Sequence, residues 1–404
     1  MLLYQRKYIM IDRPLFLTVT VLIVIGMVFS YSLSVYTVLL FNTTPWHFFL
    51  RQFIAGMVGI VLMWLIARQD PDKIATPLGF FLLIISMLMM VALPFLPETL
   101  AKEVGGAKRW LKLGPLSLAP VEFFKVGFVY FLAWSFSRRV LPKHMERRSK
   151  EVRYTLKEEL FIVLPYLIVF IAIMFIIAIF QNDLGQVIVL TLTLLFLMTF
   201  AGSSIRFFGM TLLAAIGIIA GFVVSSEHRI ERVKGWWYML QNTIAEIFPQ
   251  WATAVPKVNL TEEPYQVSNS LHAIHHGGLF GVGLGNGILK LGFLSEVHTD
   301  FVLAGMAEEI GVIGVMIVSA ILMYVIFRLL KIAGRSENAS YYLYCSGLAM
   351  IIGFSFLMNA LGMSGVIPLK GIAVPFLSYG GSQVLALSIG IGLALSMSKQ
   401  AKLS

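Results

Sequence analysis

Long apolar runs leave this chain one class of fold. A helix rises about 1.5 Å per residue, so about 20 mainly apolar residues cross the hydrocarbon of a bilayer. Runs near that length recur at residues 14–35, 48–67, 74–95, 120–136, 160–180, 186–200, 207–224, 301–327, 341–362 and 374–397. The expectation is therefore an all-α polytopic membrane protein with about ten transmembrane helices. Composition agrees: 58% hydrophobic against 13% charged residues is far from the balance of a soluble domain. Residues 1–404 are expected to form one integral membrane domain, because no low-complexity tract or internal repeat divides them.

Sidedness follows from the basic residues. The net charge of +10 falls between the apolar runs, and residues 137–159 alone carry Arg138, Arg139, Lys143, Arg147, Arg148, Lys150, Arg153 and Lys157. Cytoplasmic loops collect Lys and Arg, which places this loop and both termini in the cytoplasm and argues against nucleic acid as the reason for the charge. Residues 1–13 are too charged for a cleavable signal. The single Cys345 lies inside an expected span, so no intrachain disulfide can form. On the opposite side this topology leaves one large loop, residues 225–300, containing Trp236, Trp237, Phe248 and Trp251 as an interfacial segment would. Its Gly281 to Gly287 run follows no strand of a βαβ unit, so it reads as turn geometry rather than a dinucleotide fingerprint.

Polar groups at the membrane mark where chemistry is expected. Glu296, His298, Thr299 and Asp300 cluster just before the eighth apolar run. Thr299 or Asp300 is expected to cap that helix, and the segment is either a helix start or a reaction site. Glu122 and Lys125, spaced i, i+3, share one helix face and form either a self-neutralising pair or the wall of a polar cavity. Lys108 and Arg109 beside Trp110 suit a phosphate at headgroup depth and suit interfacial anchoring equally. Asp183 is expected to cap the sixth span. Glu308 falls about 80° round the helix from Asp300 and is expected to share a cavity wall with it.

Together these segments resemble the SEDS family of shape, elongation, division and sporulation proteins, which includes FtsW and RodA. The strongest match runs from Gly365 to Ser382, preceded by Asn359. Further matches, in the family's order, are Gly106 to Trp110, Pro120 to Lys125, Gln181 to Gly185, Arg229 to Arg232, Tyr265-Gln266, Gly277 to Gly285 and Glu296 to Phe301. Departures stand at Ala119, Val121, Asn182, Ser295 and Gln383, and residues 234–263 look longer than usual. The resemblance implies a glycosyltransferase that polymerises the lipid-linked peptidoglycan precursor lipid II and releases undecaprenyl pyrophosphate. It implies Asp300 as the catalytic base and Arg109, Glu122 and Lys125 as substrate-binding residues lining or bordering its cavity; Lys108, Glu296 and His298 are expected to bind substrate beside them. It also implies a class B penicillin-binding protein as partner, other division proteins, and a site at the outer face of the cytoplasmic membrane, at the septum. Lys370-Gly371 favours the division-type FtsW branch over the RodA branch. A divalent cation, Mg or Mn, would suit the diphosphate, although no clustered Asp, Glu and His residues name a metal site. A lipid II flippase and a non-catalytic division scaffold are the competing functions.

Overall fold

The computed structural model describes residues 11–40, 44, 46–104, 106–113, 116–143, 145, 155–248, 265–368 and 371–401. Its helices are α1 (Arg13–Leu33), α2 (Val35–Leu40), α3 (His47–Arg68), α4 (Pro71–Ala92), α5 (Pro120–Arg139), α6 (Leu156–Phe175), α7 (Leu184–Phe200), α8 (Ile205–Val224), α9 (Glu227–Ile247), α10 (Tyr265–Gly277), α11 (Val302–Arg335), α12 (Ala339–Met363) and α13 (Gly381–Ser398). Between α4 and α5 lie two antiparallel ribbons, β1 (Glu103–Val104) with β2 (Ala107–Lys108) and β3 (Leu111–Leu113) with β4 (Leu116–Leu118).

Each of the ten expected spans contains a helix. Eight are long and apolar enough to cross a membrane. The others are α7, with 17 residues, and α5, whose apolar run is interrupted by Glu122 and Lys125. Those charges explain where α5 sits. Lipid cannot solvate them, so α5 is enclosed by α4, α12 and α13 rather than exposed at the rim. The helices α12 and α13 are likewise central, whereas α8 buries little of its surface against protein.

Short polar side chains start many helices by accepting N–H groups that have no partner within the helix. Asp12 accepts from Leu15 at 2.9 Å, Asp183 from Gln186 at 3.1 Å, and Thr155 with Glu158 forms a capping box. At the end of the bundle holding Asp12, distant segments are tied together. Asp12 pairs with Arg328, and the Asp72 carboxylate takes the Tyr341 hydroxyl and, at 2.8 Å, the Gln400 amide.

Three expectations change. Residues 374–380 are not helical, and the last helix begins only at Gly381. The eighth span runs on to Arg335 and breaks at Gly311, whose φ of 73° belongs to the left-handed region that glycine tolerates. The large loop holds two helices, α9 and α10, and Trp236 donates its indole N–H to the Gly365 carbonyl at 3.0 Å. Trp236 is therefore a contact between segments rather than only an interfacial anchor. Trp251, Lys370 and residues 144 and 146–154 of the basic loop lie outside the described residues.

Candidate active site

At the opposite end of the bundle from Asp12, four segments far apart in sequence converge on Asp300. Asp300 does not cap a helix. The N-cap of α11 is Phe301, with no side-chain capping bond. Glu296, held at φ 55°, turns its carbonyl towards the N–H groups of Thr299, Asp300 and Phe301 at 3.1, 3.0 and 3.4 Å. The Thr299 hydroxyl also donates to the Glu296 carbonyl and carboxylate, at 3.0 and 3.1 Å. The backbone demands at this turn are thus met without the Asp300 side chain. The helical geometry expected to link Asp300 to Glu308 does not apply either, since the helix starts after Asp300.

The 371–383 segment holds this turn in place. Asn359 donates one amide nitrogen to both the Asp300 and Ile372 carbonyls, at 2.6 and 2.7 Å. The Ser378 hydroxyl donates to the Thr299 carbonyl at 2.6 Å, and the Tyr379 N–H donates to the His298 carbonyl at 2.8 Å. Gln52 closes the brace from α3, donating to the Ser378 carbonyl and accepting from the Gly380 N–H. Gly371 lies directly against the carboxylate: a Cβ there would stand 2.7 Å from Asp300 Oδ2. The unusual Gln383 donates to the Ala373 carbonyl at 3.0 Å and so supports the same loop.

Around the carboxylate the charges are mixed. Burial, then Glu296 and Asp183, push the Asp300 pKa up to about 7, against the pull of Arg109 and Arg232. Asp183 caps α7 as expected, and burial raises its pKa while Arg109 opposes the rise. Arg109 donates to the Gln181 and Asn182 carbonyls at 2.6 and 3.0 Å, so it clamps the α6–α7 turn while facing both aspartates. Asn182, at φ 47°, occupies a conformation that proline's ring forbids, and its side chain accepts from Arg229 at 2.9 Å. Beneath the turn, Lys125 and Glu122 pair at 2.7 Å, both buried, and Gln186 donates to Glu122 at 3.2 Å.

Two expected substrate ligands are placed otherwise. Lys108 directs its ammonium to the Leu96 and Pro94 carbonyls at 2.5 and 3.5 Å, where it steadies the ribbon that carries Arg109. His298 is buried between Phe48 and Tyr379, with ring centroids 5.2 and 5.5 Å away and Thr37 Oγ1 3.5 Å from Nδ1. Burial lowers its pKa, which keeps the imidazole neutral. Arg232 was quoted from the sequence only as the end of a matching segment and was given no role at the site. Its signal was the i, i+3 spacing from Arg229, which puts both on one face of α9. Glu308 faces away from this cluster, towards the 288–289 backbone. Among the described residues, no group of three or more His, Cys, Asp or Glu side chains is arranged to hold a metal ion.

The family model for the FtsW, RodA and SpoVE proteins, described as "Cell cycle protein", matches residues 12–403. The chain belongs to this family. It is 45% identical to the probable peptidoglycan glycosyltransferase FtsW of Helicobacter pylori over 97% of this chain and 99% of that one. It is 32% identical to the FtsW of Coxiella burnetii over 87% of this chain and 86% of that one. Its fold is shared with the rod shape determining protein RodA of Thermus thermophilus, with a TM-score of 0.64 at 22% identity, covering 98% of this chain and 99% of that one. It also matches a chain of a peptidoglycan synthase complex that coordinates polymerization and crosslinking, with a TM-score of 0.67 at 21% identity, covering 98% and 99%.

Proposed function

We propose that this protein is a division-type peptidoglycan glycosyltransferase that polymerises lipid II, with Asp300 as its general base. The observation that supports the base is the carboxylate itself: half-buried, free of capping duty, and poised near neutral pH by Glu296 and Asp183 acting against Arg109 and Arg232. A base works best when its pKa lies near the working pH. The 4-hydroxyl of the acceptor sugar attacks the anomeric carbon of the lipid-linked chain end, and its proton passes to Asp300. The bond from that carbon to the diphosphate breaks, and undecaprenyl pyrophosphate leaves. Arg109 and Arg232 stabilise the charge growing on the departing diphosphate.

The membrane orientation implied by the basic loop puts this site at the outer face of the cytoplasmic membrane, with both termini inside. The similarity to FtsW proteins supports a role at the division septum. The likeness to a chain of a complex that joins polymerization to crosslinking supports a class B penicillin-binding transpeptidase as partner. The reading is tested with purified lipid II, the full-length protein and a crosslinking-inactive transpeptidase. Glycan strands from wild type and none from Asp300→Asn, at equal folded yield, are expected; strands from both would move the base elsewhere. Arg109→Ala is expected to raise the KM for lipid II, and an unchanged KM would remove its diphosphate role.

A further inference from the structure

A second charged cluster lies outside the site, around the break in α11. Glu308, Glu309 and Lys290 are each at most 3% exposed. Charged groups at membrane depth persist only where something requires them. Glu309 accepts from Lys290 at 2.6 Å and from the Ser32 hydroxyl of α1 at 2.6 Å, and Lys290 also donates to the Gly285 carbonyl at 2.7 Å. Glu308 Oε1 accepts the N–H groups of Ile288 and Leu289 at 2.7 and 3.0 Å and lies 3.0 Å from His276 Nδ1. The break at Gly311 opens the helix to the same loop. The Val282 and Gly283 N–H groups donate to the Glu308 and Glu309 carbonyls, and the Val312 and Ile313 N–H groups donate to the Gly278 and Leu279 carbonyls, all at 3.0–3.2 Å.

The Glu308 and Lys290 bonds among these fix the chain that leads into Asp300. Residues 288–301 form turns without a regular helix or strand, so the turn bonds within the segment are supplemented by ties to other segments, among them Asn269 to the Phe293 carbonyl at 2.6 Å. Its downstream end is held by Asn359 and Ser378. Its upstream end is held by Glu308 and by the Lys290–Glu309 pair, and the Leu294 N–H continues the chain of support to the Leu289 carbonyl at 2.8 Å. Both carboxylates stand on the helix that Asp300 precedes, so they fold the incoming loop back onto it.

We propose that Glu308 and the buried Lys290–Glu309 pair are positioning residues for the glycosyl transfer, setting the placement of Asp300 through the 288–300 loop. This inference rests on Asp300 being the base. A displacement of about 1 Å at a reacting group is enough to lower turnover about 100-fold. The charge-neutral double variant Lys290→Met/Glu309→Gln removes the tie without leaving a lone buried charge. In the lipid II assay with full-length protein and its transpeptidase, it is expected to melt near wild type and keep its KM within about two-fold, while kcat falls about 10- to 100-fold. A folded double variant with wild-type kcat overturns the proposal. If the double variant does not fold, the Glu308 pair decides. Glu308→Gln keeps an acceptor for both N–H groups and should stay within about three-fold of wild-type kcat, whereas Glu308→Leu should lose about ten-fold with KM unchanged. Equal kcat in the two overturns the proposal. Asp300→Asn, run in parallel, separates the two ideas: polymer from it defeats the base reading, whereas a dead Asp300→Asn beside a fully active double variant defeats only the positioning role.

Discussion

Replacing Asp300 by asparagine should stabilise this protein at alkaline pH while abolishing its turnover. The Asp300 pKa stands at about 7 against an ordinary 3.8. At about 1.36 kcal/mol per unit, that difference corresponds to a penalty of about 4 kcal/mol on the ionised form. Asp300 is partly exposed, so solvent screening brings the realised penalty to about 1–2 kcal/mol. Its sign is set by which form the fold prefers. The folded protein favours the neutral acid, so the penalty is absent below about pH 4, grows as pH rises towards 7, and is complete above it. The substituted amide is neutral throughout and, among the described residues, the carboxylate it replaces accepts no hydrogen bond. Thermal unfolding followed by tryptophan fluorescence in detergent should therefore show the variant level with wild type at pH 4 and more stable at pH 8. Turnover should fall by about 10²–10⁴. A variant less stable than wild type at pH 8, or an advantage independent of pH, would refute the claim that burial raises this pKa.

The wild-type rate should rise with pH through an acid limb near 7, since the base must be ionised. Removing the opposing charge in Arg232→Ala should move that limb upward by under about one unit, and a limb that moves down would reverse the assigned electrostatics. Gly371→Ala places a methyl group 2.7 Å from Asp300 Oδ2, so kcat should drop at least about ten-fold with little change in melting temperature; normal kcat would show that the loop yields freely. Glu122→Gln strands the buried Lys125 ammonium and should cost about 3–5 kcal/mol, which Glu122→Gln/Lys125→Met should largely restore. If activity returns together with stability in that double variant, the pair holds the fold and has no part in the chemistry.

The helices were legible because an apolar run of fixed length is a local property, and even the cap at Asp183 could be read from neighbouring residues. What escaped was every feature set by partners distant in sequence. Asp300 looked like a cap because short polar residues before an apolar run usually are. The Glu296 carbonyl instead collects the N–H groups that such a cap would serve. Lys108 and Arg109 looked like a cationic pair, yet adjacent residues on a ribbon diverge, and only Arg109 reaches the aspartates. Arg232 lies in a stretch with no membrane period to orient it, and the charges it faces, Arg109 and Asp300, belong to segments remote from it in the chain.

The same contrast explains why four acidic groups near one end of α11 have different uses. Glu308 and Glu309 are saturated with donors, two backbone N–H groups and His276 for one, Ser32 and Lys290 for the other. Such bonds fix the side chain, so these carboxylates act as anchors. Glu296 is exposed and shares its carboxylate with the Thr299 hydroxyl, which leaves its charge as its main effect on Asp300. Asp300 is the one whose backbone is tied from both sides while its carboxylate carries no donor among the described residues. A carboxylate held in place but not hydrogen-bonded has its proton affinity raised by burial and its lone pairs open to an incoming hydroxyl. Adding a donor beside it should therefore damage activity as surely as removing the acid: Gly371→Ser, which brings a hydroxyl within reach of Oδ2, should lower the acid limb of the rate profile and reduce the rate at its plateau. A reduced plateau with an unmoved limb would show that steric displacement alone had acted.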